Sequence, residues 1–276
     1  MDAIHILRKK KYIADFEIFV MVLSALEWRK HNGNIKLVTD QLGLDFVQKH
    51  GIANVWNRID VSLDELNELP IRENVFWAGA KIVALQQQKA PCVMMDLDFI
   101  VWKTLDFSKY ENELAVIHRE DIDMSIYPPK DFFHVKDYYT FDTRWNWSVL
   151  PCNTAFSFFG NELLRRMYCD EAIRFMCHAD VKDDYLCYMV FAEQRLLAMC
   201  ADMLQCRIHS FCQLRDLFDG RQNVFTHIWG EKEALRKNKI YNDMFCHRCM
   251  RRIKRDFPQW AEWLKYYEWF RTYMKV

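Results

Sequence analysis

The chain has 276 residues, 51% of them hydrophobic and 28% charged, which suits a folded globular protein of one or two domains and excludes a disordered one. Lys+Arg and Asp+Glu are equal at 38 each, so no net field selects nucleic acid as a partner. The 7 glycines are scattered, no two closer than 8 residues, so neither G-x-x-x-x-G-K-[ST] nor G-x-G-x-x-G occurs; this excludes a P-loop NTPase and a standard dinucleotide-binding Rossmann enzyme.

In chain order, Ala3-Ile4-His5-Ile6-Leu7 reads as a short buried strand, followed at once by the basic run Arg8-Lys9-Lys10-Lys11, which leaves no signal-peptide core. Apolar residues at helical spacing over 16–28 predict a helix that stops near Asn32-Gly33-Asn34. Residues 35–40 read as the next strand, ending on Asp40. A short helix over 41–50 follows, then a third strand over 55–59, a helix over 73–88, and the strongest strand over 92–102. Repeated β-α-β units imply a mostly parallel sheet with ligands at the strand C-terminal ends. Residues 118–152, rich in Asp, Tyr, Phe, Trp and Pro, read as a long ordered excursion. A strand over 154–159, helices over 161–177 and 181–203, a strand over 205–211 and a helical tail from 231 to 276 complete the expectation. The organisation expected is one α/β domain over 1–232 with a helical C-terminal extension, 233–276, packed on it.

Ten irregularly spaced cysteines do not form a disulfide framework and point to a reducing, cytoplasmic setting. No run approaches the ~18 apolar residues of a spanning helix. Between 245 and 276, eight Lys/Arg face three Asp/Glu alongside seven Trp, Tyr and Phe of the stretch 260–273. Such a segment packs back on the core or makes peripheral contact with a membrane through 251–276.

The chemistry centres on Val93-Met94-Met95-Asp96-Leu97-Asp98-Phe99, an apolar strand running into two acids. In a strand, residues i and i+2 share a face, so both carboxylates can converge on one Mg²⁺ or Mn²⁺; a solvated acidic turn has the same pattern. Thr226-His227-Ile228-Trp229-Gly230-Glu231-Lys232 offers a metal-binding imidazole, a glycine that admits close backbone approach, and a point charge for phosphate. Ala192-Glu193-Gln194-Arg195 opens an apolar helical stretch, and Asn153 leads into an apolar strand. Cys246-x-x-Cys249 with the Cys206–His209–Cys212 segment could supply zinc ligands, but the spacing is not that of a structural site.

Taken in order, the β-α-β half, the D-x-D, the N-x-A strand start, the acid-Gln pair and the late H-x-x-G-x-K resemble a GT-A-fold glycosyltransferase. The similarity is greatest to the family-eight type of galactosyltransferases and glycogenin-like enzymes, as a series of motifs over residues 3–232. The resemblance implies a hexosyltransferase that uses Mn²⁺ (or Mg²⁺) and a nucleotide-sugar donor, taken as a UDP-sugar, with a saccharide or lipid-linked acceptor and retention of configuration. It implies Asp96, Asp98 and His227 on the metal, with Asp96 also facing the donor. Lys232 and Gly230 fall beside the diphosphate, and Lys81, on the helix before the D-x-D, also helps hold the donor. Glu193, Gln194 and Asn153 fall around the donor sugar, and the sequence does not decide whether Gln194 or Glu193 sits at the anomeric face. The late motif is one residue shorter than the family's H-x-x-G-x-x-K, the pair is Glu-Gln instead of Asp-Gln, and Asp40 replaces the family's acidic nucleotide signature at the first strand. Tyr138, Tyr139, Trp145 and Trp147 form a candidate acceptor platform. Two other readings compete. One is a haloacid-dehalogenase-type phosphatase with Asp96 as nucleophile and Lys182, Asp183 and Asp184 as its later motifs. The other is a non-catalytic carbohydrate-binding protein on an inactive transferase fold.

Overall fold

A computed structural model describes residues 1–8, 12–136, 138–219 and 221–274; Lys9, Lys10 and Lys11 of the N-terminal basic run lie outside the described residues. In chain order the elements are β1 (Ala3–Leu7), α1 (Asp15–His31), β2 (Ile35–Thr39), α2 (Gln41–Lys49), β3 (Arg58–Asp60), α3 (Gly79–Gln86), β4 (Cys92–Met95) and β5 (Phe99–Val101). Next come β6 (Leu114–Val116), β7 (Phe156–Phe159), α4 (Glu162–His178), α5 (Tyr185–Val190), a turn of π-helix (Phe191–Arg195), α6 (Leu196–Met203), β8 (Ile208–Ser210), α7 (Leu214–Phe218) and β9 (Phe225–His227). The tail holds α8 (Lys232–Lys237), α9 (Lys239–Asp256), α10 (Pro258–Leu264) and α11 (Glu268–Arg271). The architecture is mixed α/β with a mostly parallel central sheet. Among the described residues no helix is long and apolar enough to cross a membrane.

The chain divides into two compact units. The first comprises Ser62–Met95 and Asp106–Arg221, with Met1. There β7 pairs antiparallel with β4 and β6, and β6 pairs parallel with β8. Helix α4 is capped by the Asn161 side chain, which accepts from Leu164 N at 2.9 Å, and packs against α3. The helix expected over 73–88 is confined to α3. Its first turns are replaced by tight turns because the Arg72 guanidinium is tied to the Val181 carbonyl at 2.5 Å and Phe76 is buried against Phe175. The helix expected from 181 begins only at Tyr185, after Asp184 takes a left-handed φ of 50°.

The excursion over 118–152 is a second aromatic core and not an open platform. Phe133, Tyr139, Phe141 and Trp145 are buried, and Trp147 stacks on Phe191 at 5.4 Å beneath the Arg195 guanidinium. Of the four aromatic residues expected to meet an acceptor, only Tyr138 stands out into solvent. Rings that can bury this much apolar area against one another do so before they serve a ligand.

The second unit comprises Asp2–Val61, Asp96–Leu105 and Gln222–Val276. Strands β1, β2 and β3 run parallel, with Ala3 opposite Ile35 and Lys36 opposite Arg58. Helix α1 is buried on nearly all sides from Phe16 to Trp28, a stretch that is mostly apolar but includes Glu17, Ser24 and Glu27. The third strand is shifted from the expected 55–59 to Arg58–Asp60, because a 3₁₀ turn takes Ala53–Val55. The C-terminal aromatics pack on this unit: Trp269, Phe270 and Tyr273 surround Phe19, with ring centroids 4.8, 5.6 and 5.5 Å away. Two indole N–H groups donate to the turn after α2, Trp263 to Gly51 O at 2.8 Å and Trp269 to His50 O at 3.0 Å. Gly51 sits at φ 69°, and a Cβ there would fall 2.0 Å from the Tyr267 ring.

Glu27 lies at the contact of α1 with α9. Its carboxylate is fully buried, with Lys30 at 3.9 Å, His31 at 3.5 Å and Arg252 at 3.6 Å, and no hydrogen bond from the described residues. Burial pushes its pKa up, opposed by Lys30 and Arg252 and reinforced by Asp256.

Two outcomes follow for stability. Gly51→Ala forces a left-handed alanine against Tyr267 and costs at least about 1–2 kcal/mol, a fall of a few degrees in Tm by calorimetry. For Glu27, the folded pKa stands above the unfolded one, so the protonated carboxyl's contribution is complete below the ordinary 4.5 and is lost as pH rises through the raised value. Wild type therefore loses stability relative to Glu27→Gln as pH climbs from about 4 toward 7, measured by urea unfolding of both proteins at each pH.

Candidate functional site

The run expected to be one strand over 92–102 is two. β4 stops at Met95, residues 96–98 turn, and β5 starts at Phe99 in a different sheet. The turn is closed by Phe99 N donating to Asp96 O at 3.0 Å. The two acids are therefore not placed by strand alternation. A tight turn brings them together instead, because a carboxylate pair at the end of a buried strand is better accommodated where the backbone leaves the sheet.

Strand β9 comes from far along the chain to complete the site. β5 and β9 form a two-stranded antiparallel ribbon that sets Phe99 opposite His227, Ile100 opposite Thr226 and Val101 opposite Phe225. Ile228 N donates to Asp98 O at 3.3 Å, extending this register into the turn. The result is one cluster: a ligand atom from each of Asp96, Asp98 and His227 lies within 4.8 Å of the others. It is the sole such group of three or more His, Cys, Asp or Glu among the described residues, so the Cys246, Cys249 and Cys206–Cys212 segments assemble no zinc site there. His227 Nε2 lies 3.5 Å and Lys232 Nζ 2.8 Å from Asp98 Oδ2. Burial alone would raise the Asp98 pKa, but the Lys232 ammonium and the His227 ring outweigh it and hold the carboxyl below the usual range. Beyond these charge contacts, no hydrogen bond from the described residues reaches Oδ2.

This donor set fits a divalent cation. Two carboxylates and an imidazole are the ligands that Mn²⁺ accepts and that Mg²⁺ tolerates. All three stay half-buried, so a cation bound there keeps an approach from solvent. Gly230 lies in the 3₁₀ turn Trp229–Glu231, between His227 and Lys232, and the indole of Trp229 beside it is two-thirds exposed. Asp40, by contrast, caps α2: its Oδ1 accepts from Gly43 N at 2.7 Å and its Oδ2 pairs with Arg8 at 3.2 Å.

The remaining residues singled out from sequence lie in the first unit, on and around the π-helical turn. Lys81 Nζ pairs with Glu193 Oε1 at 2.6 Å, and Thr154 Oγ1 donates to the same oxygen at 2.7 Å. Gln194 Oε1 accepts from the Tyr127 hydroxyl, whose pKa is raised by burial and by Glu120 and Glu193. Asn153 Nδ2 donates to Glu120 Oε1 at 2.8 Å. Positions 193 and 194, both in the π-turn, reach separate partners, and π-turns recur at functional sites. Tyr127, Thr154 and Glu120 were missed from sequence. Their signal, a polar residue in an aromatic or apolar stretch, is too common to single out.

No curated protein matches the chain. Among solved structures it is similar to one described as PaToxG glycosyltransferase, at 13% identity and TM-score 0.45, over 79% of this chain and 71% of that one. It is also similar to mouse xyloside xylosyltransferase 1 in its apo form, at 11% identity and TM-score 0.42 over 76% and 85%. A third similarity is to the galactosyltransferase LgtC in complex with donor and acceptor sugar analogs, at 10% identity and TM-score 0.39 over 70% of each chain. A family model matches residues 11–260, and the chain belongs to that family, the family of unknown function DUF6734.

Proposed function

We propose that the protein is a metal-dependent glycosyltransferase of the GT-A, family-eight type, moving a hexose from a nucleotide-diphosphate donor, taken as a UDP-sugar, to a hydroxyl of a saccharide or lipid-linked acceptor. The observation that carries this reading is the convergence of Asp96, Asp98 and His227, from two distant stretches of chain, on one half-buried point. Mn²⁺ or Mg²⁺ held there supplies positive charge to the diphosphate that leaves the sugar. Lys232, already drawn to that point by Asp98, adds a second cation on the same side. Gly230 keeps the adjoining turn clear of side chain for a diphosphate. Asp40, although a helix cap, remains the acid assigned to the nucleotide.

Glu193, Gln194 and Asn153 take the sugar-facing roles, with Lys81 on the donor. Lys81 Nζ at 2.6 Å from Glu193 Oε1 fixes that side chain in place. Tyr127 occupies the Gln194 oxygen, which leaves the amide N–H₂ to bond a sugar hydroxyl. Retention of configuration belongs to the same reading. The ten cysteines are all free thiols, which fits a cytoplasmic setting. Arg248, Arg251 and Lys254 are exposed on α9, with Trp263 and Tyr266 exposed nearby in the tail, and this favours contact with the inner face of a membrane.

The test is calorimetric titration of nucleotide sugars with and without Mn²⁺, coupled to an assay for released nucleoside diphosphate. Binding should require the cation, and Asp98→Ala should weaken Mn²⁺ binding at least about 100-fold, more than loss of a supporting residue costs. Hydrolysis of p-nitrophenyl phosphate that is abolished in Asp96→Asn, with no nucleotide-sugar binding, would replace this reading with the phosphatase one.

A further inference from the structure

The equal totals of acid and base conceal a division. The second unit carries 22 Lys/Arg against 15 Asp/Glu and the first 16 against 23, so a chain of zero net charge consists of a basic unit and an acidic one. Much of the basic excess is local. Between 236 and 255 stand eight Lys/Arg and a single acid, Asp243.

Helix α9 displays most of that charge on one face. At 3.6 residues per turn, positions 240, 244, 248, 251 and 255 fall along one side of the helix, with 254 beside them. All six are exposed, whereas Cys246, Cys249, Met250 and Ile253 are buried on the other side, and α9 packs on α1. The exposed face changes character along its length. Its N-terminal end is apolar, with Ile240 74% and Met244 57% exposed. Its C-terminal end is basic, with Arg248, Arg251, Lys254 and Arg255. Arg255 is drawn to Asp256, while Arg248, Arg251 and Lys254 have no salt bridge among the described residues. The apolar end adjoins the turn after β9. The Tyr241 hydroxyl donates to the Glu231 carboxylate, which ties the first turn of α9 to the 3₁₀ turn Trp229–Glu231, where the Trp229 indole stands exposed.

We infer that this face of α9 is a docking surface for an anionic phospholipid membrane. Arg248, Arg251, Lys254 and Arg255 meet the lipid phosphates, and Ile240, Met244 and Trp229 enter the boundary between headgroups and acyl chains. Charge complementarity selects an anionic partner. The apolar end selects lipid over nucleic acid, whose phosphates offer an isoleucine nothing. The surface thus begins well before the aromatic stretch 260–273, whose Trp269, Phe270 and Tyr273 are already packed on Phe19. Docked in this way, the turn that carries Gly230 stands at headgroup level, so the acceptor is a lipid-linked one and not a free saccharide. That last step rests on the glycosyltransferase reading above; the docking itself does not.

The experiment measures partition onto phosphatidylcholine vesicles with and without phosphatidylserine, at physiological and at high ionic strength, with the Tm of each variant as a check on folding. Wild type should bind the phosphatidylserine vesicles more tightly and be released by salt. Arg251→Ser with Lys254→Ser should weaken binding about 30-fold, at about fivefold for each basic residue near the surface. Ile240→Ser with Met244→Ser should weaken it at least about 10-fold, while Tyr266→Ser, in the aromatic tail, should bind as wild type does. Brominated lipids should quench tryptophan fluorescence in wild type and much less in Trp229→Phe. Wild type that ignores phosphatidylserine would overturn the docking, and so would a loss confined to Tyr266→Ser, which would move the contact to the tail. Binding to a DNA duplex without binding to vesicles would replace the membrane with nucleic acid. Mn²⁺-dependent nucleotide-sugar binding, titrated on the same preparations, separates the two readings. If it persists without vesicle binding, the docking falls alone; if it is absent while vesicle binding stands, the transferase reading falls and takes the lipid-linked acceptor with it.

Discussion

The arrangement depends on one electrostatic constraint: a carboxylate, Asp98, is held ionised where water is scarce. Desolvation opposes that charge, so the fold must bring compensating groups to it. They come from a segment well over a hundred residues further along, as His227 on β9 and Lys232 just after it. The β5–β9 ribbon exists to deliver them. It is short and its strands lie outside the main sheet. Beyond β9, α9 lies on α1, with Trp269, Phe270 and Tyr273 around Phe19.

What could be read from sequence divides along a physical line. The D-x-D after an apolar run, and the His-Gly-Lys series at 227–232, were visible because each is a polar interruption with a ligand-type residue at its centre. Asp96, Asp98 and His227 lie within 4.8 Å of one another, but the acids are not brought together by strand alternation. A strand over 92–102 would have placed Asp96 and Asp98 by alternation, whereas a turn closed by Phe99 N does so in fact. Hydrophobic periodicity cannot tell an uninterrupted buried strand from two short ones separated by three residues. The π-turn at Phe191–Arg195 was likewise invisible, since one extra residue per turn leaves no mark on composition. The aromatic excursion misled for a different reason. Tyr139 and Trp145 can line a binding surface or fill a core, and pairing among Phe133, Phe141 and Phe191 decides for the core only in three dimensions.

The second unit offers an internal comparison that shows why Asp98 reads as a site and Glu27 does not. Glu27 is fully buried and Asp98 half-buried, each carboxylate with a lysine and a histidine nearby, and Glu27 has an arginine as well. Their pKa values move in opposite directions. The number of cations therefore does not decide the outcome. Asp98 has an ammonium at 2.8 Å, close enough for a charge-assisted contact, whereas the cations around Glu27 stand 3.5 to 3.9 Å off and none donates a hydrogen bond. Asp256 then draws Arg252 and Arg255 toward itself and adds like charge beside Glu27.

The same distances separate their uses. A carboxylate whose pKa is held below the usual range, with a neighbouring acid and imidazole inside 4.8 Å, offers lone pairs to a cation. A carboxylate whose pKa is pushed up by burial between two packed helices is a poorer ligand for a cation. Sequence patterns treat the two as equal acids beside basic residues. The difference lies in whether the backbone brings one cation to hydrogen-bonding range, and here that is done by the ribbon register at Phe99 and His227, a property of the folded chain with no local sequence signature.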